Sequence, residues 1–174
     1  MPSVLFLRGV NVGGAKSFSP KALAKALADF DAVNIGAAGT FVVRKKVSDS
    51  QLRAEVLRHL PVQAEFMICK GAEILSLAKD DPFEAEHDNP EIKRYVTVLA
   101  KRPRETPALP ILKPNPDWQV KVFAVTGQFV LSLHRRSGRR LIYPNEVVEQ
   151  TFDSPATTRN WNTIEAICKI LAAK

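Results

Sequence analysis

The sequence predicts an α+β protein: an N-terminal ferredoxin-like βαββαβ subdomain in residues 1–70, followed by a second small α+β subdomain in residues 71–174. Three observations support this prediction. Of the 174 residues, 45% are apolar and 25% are charged, which suits one substantial core or two small ones and excludes a disordered or fibrous chain. Short apolar runs alternate with segments of helical periodicity. Glycine and proline residues mark the boundaries between them.

The first subdomain contains four predicted strands and two predicted helices. Ser19 and Pro20 indicate a helix start, because the serine caps free amide groups and proline needs no N–H at the first helical position. This helix extends to about residue 30, and a second one covers about residues 50–59 and stops before Pro61. The predicted strands are residues 3–7, 32–36, 40–44 and 64–69. Their order is the split βαβ pattern, in which two helices cover one face of an antiparallel sheet.

The second subdomain is predicted to begin with a helix at residues 72–78 and a strand at residues 94–100. A proline-rich linker at residues 103–116 follows them. Apolar runs and helical spacing then predict three strands and a last helix, at residues 118–125, 129–133, 139–143 and 163–172.

The chain has a net charge of +7, and many of its basic residues lie in three clusters. Such clusters attract nucleic acid if they share one face, and the alternative is that they are solvated strand ends and turns. The strands of the first half carry Phe6, Phe41 and Phe66 but no motif typical of an RNA-binding sheet. We therefore expect weak, non-specific nucleic-acid binding at most. The clusters are Arg44 to Lys46, Lys101 with Arg102 and Arg104, and Arg135 with Arg136, Arg139 and Arg140.

Several classes of site are disfavoured by composition and spacing. Cys69 and Cys168 provide neither a disulfide framework nor a zinc site. The acidic segment 80–91 lacks the spacing of a calcium loop and is interpreted as a solvated connector, so no metal is expected. No cofactor is expected either. The three histidines accompany no hydrolase motif, so catalytic residues stay unknown. Without a signal peptide or a long apolar run, we expect a cytoplasmic protein with no membrane partner.

The first of two conspicuous loops covers residues 8–17. Its glycines let backbone amides approach an anion closely, and Lys16 supplies a countercharge. Gly9 and Gly14 have the separation of a P-loop, but Ala15 is inserted before Lys16 and the helix begins only at residue 19, so this register argues against nucleotide hydrolysis. The alternative is a glycine-rich turn at the end of a strand.

The second loop, residues 156–163, precedes the last helix and has seven hydrogen-bonding or aromatic residues in eight. Asn162 and Glu165 would form a capping box, which explains only the end of the segment. Arg159 suits a phosphate or carboxylate, and Trp161 suits a planar group. The alternative is a polar network that docks the last helix, with Trp161 as its apolar anchor.

Together, residues 8–14 and 157–163 resemble the domain of unknown function 1697 family of bacterial proteins. The resemblance covers nearly the whole chain and implies two α+β subdomains, of which the first is ferredoxin-like. Two segments depart from the family pattern. Residues 37–40, Ala-Ala-Gly-Thr, stand where the family has a Gln-Ser-Gly-Asn turn, and residues 139–144 replace its usual lysine- or serine-bearing stretch.

The leading hypothesis is that both loops meet and bind a small anionic or phosphate-bearing ligand, such as a nucleotide or a nucleic-acid backbone. Arg8, Lys16 and Arg159 would pair with charge. Two rival hypotheses are an enzyme acting on a small phosphorylated or carboxylated substrate and a purely structural lock between subdomains. The oligomeric state stays open. The predicted ligand-binding residues are Arg8, Gly9, Asn11, Gly13, Gly14, Lys16, Thr157, Thr158, Arg159, Asn160, Trp161 and Asn162.

Overall fold

The structure is a computed structural model that describes residues 1–9, 19–60, 64–86, 89–137 and 140–173. It confirms the mixed α+β class, with two antiparallel sheets. The chain forms two compact units, Met1–Asp80 with Glu165–Lys174, and Asp81–Ile164. Within the described ranges, every helix is too short or too polar to span a bilayer.

The first unit contains a four-stranded sheet in the order β2-β3-β1-β4. Ser19 caps the first helix by accepting a hydrogen bond from the Ala22 amide at 3.2 Å, as the Ser-Pro pair predicts. The element order is the predicted βαββαβ, and the finer ferredoxin-like assignment stays a prediction. The elements are β1 (Ser3–Arg8), α1 (Pro20–Ala26), β2 (Ala32–Ile35), β3 (Thr40–Val43), α2 (Asp49–His59), β4 (Glu65–Lys70) and α3 (Gly71–Ala78).

Both faces of this first sheet are buried. On one face, Leu5, Leu7 and Phe41 pack with apolar side chains of α1 and α2. On the other, Val4 and Phe6 are fully buried. All three phenylalanines of the predicted strands are buried, so the described part of this sheet presents none of them as an aromatic platform for bases.

The second unit contains a five-stranded antiparallel sheet in the order β6-β7-β8-β5-β9. Its core forms where Val147 and Val148 of one helix pack on apolar strand residues, among them Leu99 and Val130. The elements are β5 (Ile92–Leu99), β6 (Ile111–Lys113), β7 (Val120–Thr126), β8 (Phe129–Arg135), α4 (Pro144–Phe152), β9 (Ala156–Asn160) and α5 (Trp161–Ala172), of which α5 continues into the first unit.

Three details of the second half differ from the sequence prediction. The strand predicted at 139–143 is wrong, because residues 140–143 form no strand and lead into the helix α4. The loop predicted at 156–163 is also wrong, since β9 passes directly into α5. The proline-rich segment 103–116 contains the strand β6, which pairs with β7.

The two compact units have different bounds from the predicted subdomains 1–70 and 71–174. The helix α3 and the C-terminal part of α5 group with the first sheet. The predicted subdomain boundaries stay a prediction, because compactness alone does not show which segment folds independently.

The start of α3 lies close to the end of α5. A Cβ added to Gly71 would lie 2.8 Å from Leu171 Cδ2 and 3.1 Å from the Pro2 carbonyl oxygen. We therefore expect Gly71→Ala to lower the free energy of unfolding by about 1–3 kcal/mol, although alanine is the better helix former. The Leu171→Ala background should reduce this loss. Urea denaturation of the two single variants and the double variant tests the coupling, and an additive double variant would contradict it.

Candidate functional site

The N-terminal loop is described only at its start. The predicted ligand residues Asn11, Gly13, Gly14 and Lys16 lie outside the described residues. The guanidinium of Arg8 forms an ion pair with the carboxylate of Glu65, its cross-strand partner in β4. Gly9 has a φ of +68°, and a Cβ there would meet no described atom within 4 Å, so its backbone conformation rather than a close approach favours glycine. Adjacency of the two predicted loops stays a prediction.

Thr158 of the C-terminal motif connects three elements of the second unit. Its hydroxyl lies 2.8 Å from the hydroxyl of Thr97 in β5 and donates a hydrogen bond to Asn145 Oδ1 in α4 at 3.0 Å. Because Thr158 uses its proton on Asn145, Thr97 donates to Thr158. This chain of hydrogen bonds holds α4 on the sheet and favours a structural role for Thr158.

Arg159 is a buried cation inside β9, with only 6% of its surface exposed. Its Nη1 donates to the Thr157 hydroxyl at 2.8 Å and to the Thr158 carbonyl at 2.9 Å. Burial lowers the pKa of the Arg159 guanidinium to about 10, which still leaves it charged near neutral pH. These contacts favour the structural lock for Thr157 and Arg159.

The end of the motif forms the N-terminus of α5. Asn160 Oδ1 accepts hydrogen bonds from the Thr163 amide and hydroxyl, each at 2.9 Å. Asn160 is therefore the helix cap, and the predicted capping box of Asn162 with Glu165 is wrong by two residues. Trp161 is 2% exposed and packs edge-on against Phe83, with ring centroids 5.0 Å apart.

Asn160, Trp161 and Asn162 also line a cavity of about 440 Å³ in the second unit, here called the α5 pocket. Lys93, Arg94 and Tyr95 of β5 line the same cavity, and Glu86 adds one carboxylate. Arg94 Nη1 and Trp161 Nε1 are buried, and neither has a hydrogen-bond partner among the described residues. Each stranded donor costs about 1–3 kcal/mol unless an acceptor reaches it.

Arg94 is absent from the sequence-based prediction of the site. One feature of the sequence could have indicated Arg94. It alternates with Val96 and Val98 in β5, so its cation is on the same side of the strand as these apolar residues and is not in an exposed turn. The last registered pair of β5 and β9 is Tyr95 with Asn160. Arg94, just before Tyr95, and Trp161, just after Asn160, are therefore neighbours at the end of the paired segment. Strand pairing brings these donors, which are 67 positions apart in the sequence, to one cavity.

A second buried polar group lies on β8. His134 is 7% exposed, and its Nε2 is buried without a partner within the described part of the chain. Burial lowers the pKa of His134, a hydrogen bond with the Ile142 backbone opposes this shift, and the charge of Arg136 adds to it. A backbone carbonyl can only accept, so the His134 ring is the donor in this hydrogen bond. Because Nε2 has no partner among the described residues, the donor is Nδ1, and Nε2 of the neutral ring carries the lone pair.

Comparison with known proteins gives a family and a fold. A family model described as "Protein of unknown function (DUF1697)" matches residues 1–130. No curated protein matches the chain. The chain is similar to a solved structure described as that of conserved bacterial protein SP0830 from Streptococcus pneumoniae, with 16% identity, 98% of each chain covered and a TM-score of 0.63. At this identity the similarity shows the fold alone.

Arg159→Ala tests the structural role of the buried guanidinium. Removing it strands the oxygen atoms that it contacts, so we expect a loss of about 3 kcal/mol in the free energy of unfolding, without any ligand. Arg104→Ala, which removes an exposed arginine of the same unit, should change stability by less than about 0.5 kcal/mol. Guanidinium denaturation measures both, and equal stability of the two variants would contradict the buried role.

The His134 pKa predicts a pH dependence of stability. Because the pKa in the folded state lies below the unfolded value, the unfolded chain binds a proton first as the pH falls. The stabilisation from neutral His134 is complete above about pH 6.5 and is lost below it. We expect His134→Phe to flatten this dependence between pH 7 and 5, whereas His59→Phe, on the exposed end of α2, retains it. Melting curves that fall in parallel for all three proteins would contradict the prediction.

Proposed function

The chain belongs to the family described as "Protein of unknown function (DUF1697)", and we propose that it binds a small anion, a phosphate or carboxylate group, in the α5 pocket. One observation carries this proposal. Arg94 and Trp161 line the same cavity, and each has a buried N–H donor without an acceptor among the described residues. An anionic group with two or more oxygens offers an acceptor to each of these donors.

The charge around the pocket supports the same ligand class. Among the described lining residues, Lys93 and Arg94 contribute two positive charges, against one negative charge from Glu86. The pocket also lies at the N-terminus of the twelve-residue helix α5, where amide groups and the helix dipole favour anions. The Trp161 ring is buried, so a ligand cannot stack on it and would contact it only through the indole N–H. This favours a ligand with a hydrogen-bond acceptor.

A small anion suits the structure better than a nucleic-acid backbone does. Several cations of the basic clusters have local partners. Arg44 lies 2.8 Å from Asp31, and Lys45 donates to the Asp29 carbonyl. Arg135 donates to the Trp118 carbonyl and lies over its ring at 4.4 Å. A cavity of about 440 Å³ lies in the range of small-molecule sites, whereas a polyanion needs an extended cationic surface.

Thermal unfolding in the presence of inorganic phosphate tests the proposed site. At constant ionic strength, adjusted with chloride, we expect phosphate to raise the Tm of the wild type, because a ligand that binds only the folded state stabilises it. Arg94→Gln should remove this response. Trp161→Phe, which keeps an aromatic ring but lacks the donor, should weaken it.

Arg104→Gln is the matched control, since it removes one exposed arginine from the same unit. It should respond to phosphate as the wild type does. The proposal fails if acetate and phosphate leave the wild-type Tm unchanged relative to chloride. It also fails if Arg94→Gln responds to them as strongly as Arg104→Gln.

A further inference from the structure

A separate cavity of about 560 Å³ in the second unit, here called the aromatic pocket, has a buried hydrogen-bond acceptor in its lining. Tyr95, His134 and Tyr143 form its aromatic lining, while Lys93 and Arg136 add positive charge and Glu91 adds one carboxylate. His134 is more than nine-tenths buried, and its Nε2 lacks a partner among the residues described. Nε2 carries a lone pair, so this pocket offers an acceptor where the α5 pocket offers donors.

The position of this acceptor is fixed by Gln119. The buried side chain of Gln119 donates from Nε2 to the Arg140 carbonyl at 2.9 Å and accepts from the Ile142 amide at 3.0 Å. Its two hydrogen bonds hold residues 140–142 next to Gln119, and the Ile142 backbone also forms a hydrogen bond with the His134 ring. The tautomer with an unprotonated Nε2 is thereby held before any ligand arrives.

The rings around His134 suit a flat partner. Tyr143 lies nearly parallel to the His134 ring, at 13°, with centroids 6.1 Å apart, and Tyr95 meets it edge-on at the same distance. Tyr143 is 55% exposed, so part of its surface is open to a ligand. An exposed aromatic ring next to a buried acceptor favours a planar molecule that carries its own N–H group.

We propose that the aromatic pocket binds a nucleoside monophosphate or a heteroaromatic anion of the same chemistry. The ring of the ligand stacks on Tyr143, and an N–H or amino group of the ring donates to His134 Nε2. Its phosphate lies near the exposed side chains of Lys93 and Arg136. Arg135 is not part of this set, because Trp118 occupies its guanidinium. The inference concerns a cavity other than the proposed anion site, although Lys93 and Tyr95 line both.

Isothermal titration of the full chain with AMP, CMP, GMP and UMP tests this inference. Ribose 5-phosphate serves as the ligand control, since it keeps the phosphate and lacks the ring. We expect at least one of the nucleotides to bind ten times more tightly than ribose 5-phosphate. If ribose 5-phosphate binds as well as all four nucleotides, the pocket does not recognise a heteroaromatic ring and the inference is wrong.

Variants separate the two pockets. Tyr143→Ala and His134→Phe should each weaken nucleotide binding at least tenfold, while Tyr143→Phe retains it because the stacking ring remains. Tyr143 is exposed, so its alanine variant tests the pocket even if His134→Phe unfolds. Arg94→Gln should retain the preference for a nucleotide over ribose 5-phosphate, which distinguishes this pocket from the anion site. Nucleotide binding unchanged in Tyr143→Ala, or a preference lost only in Arg94→Gln, would overturn the assignment.

Discussion

The pairing of β5 with β9 is the constraint on which the second unit depends. Five registered pairs run from Tyr95 with Asn160 to Leu99 with Ala156, and β9 then passes directly into α5. A residue slip in this ladder would move every side chain of β9 to the opposite face. The buried Arg159, the Thr97–Thr158 hydrogen bond and the closeness of Arg94 to the helix start all follow from this register. Stability and the candidate site therefore share one determinant.

Unpaired polar atoms are concentrated in this second unit. Within the described ranges, five buried side-chain atoms lack partners, and four of them belong to Arg94, Ser132, His134 and Trp161. Each lowers the stability of the free protein unless water or a ligand satisfies it. Two donors line the α5 pocket, and one acceptor lines the aromatic pocket. Ligands of complementary chemistry would satisfy these atoms, as the two proposed binding sites require.

The sequence predicts the first half better than the second because local signals decide its elements. Ser19 with Pro20 marks α1, and apolar runs mark the strands of the first sheet. In the second half, β9 is polar in sequence and buried in structure, so no apolar alternation reveals it. The helix α4 is missed because its nine residues contain few apolar positions, although Pro144 and Glu146 are typical of a helix start. Arg94 enters the site through strand pairing, which no local pattern specifies.

Nitrogen–proton NMR of the indole groups gives the most direct test of anion binding. The chain has two tryptophans, so two indole N–H signals are expected, and Trp161→Phe identifies the one in the α5 pocket. During titration with inorganic phosphate at constant ionic strength, we expect the Trp161 signal to shift and saturate, and Arg94→Gln to abolish the shift. A Trp161 signal that stays fixed while phosphate raises the Tm would contradict binding in the α5 pocket, because the anion would then bind elsewhere.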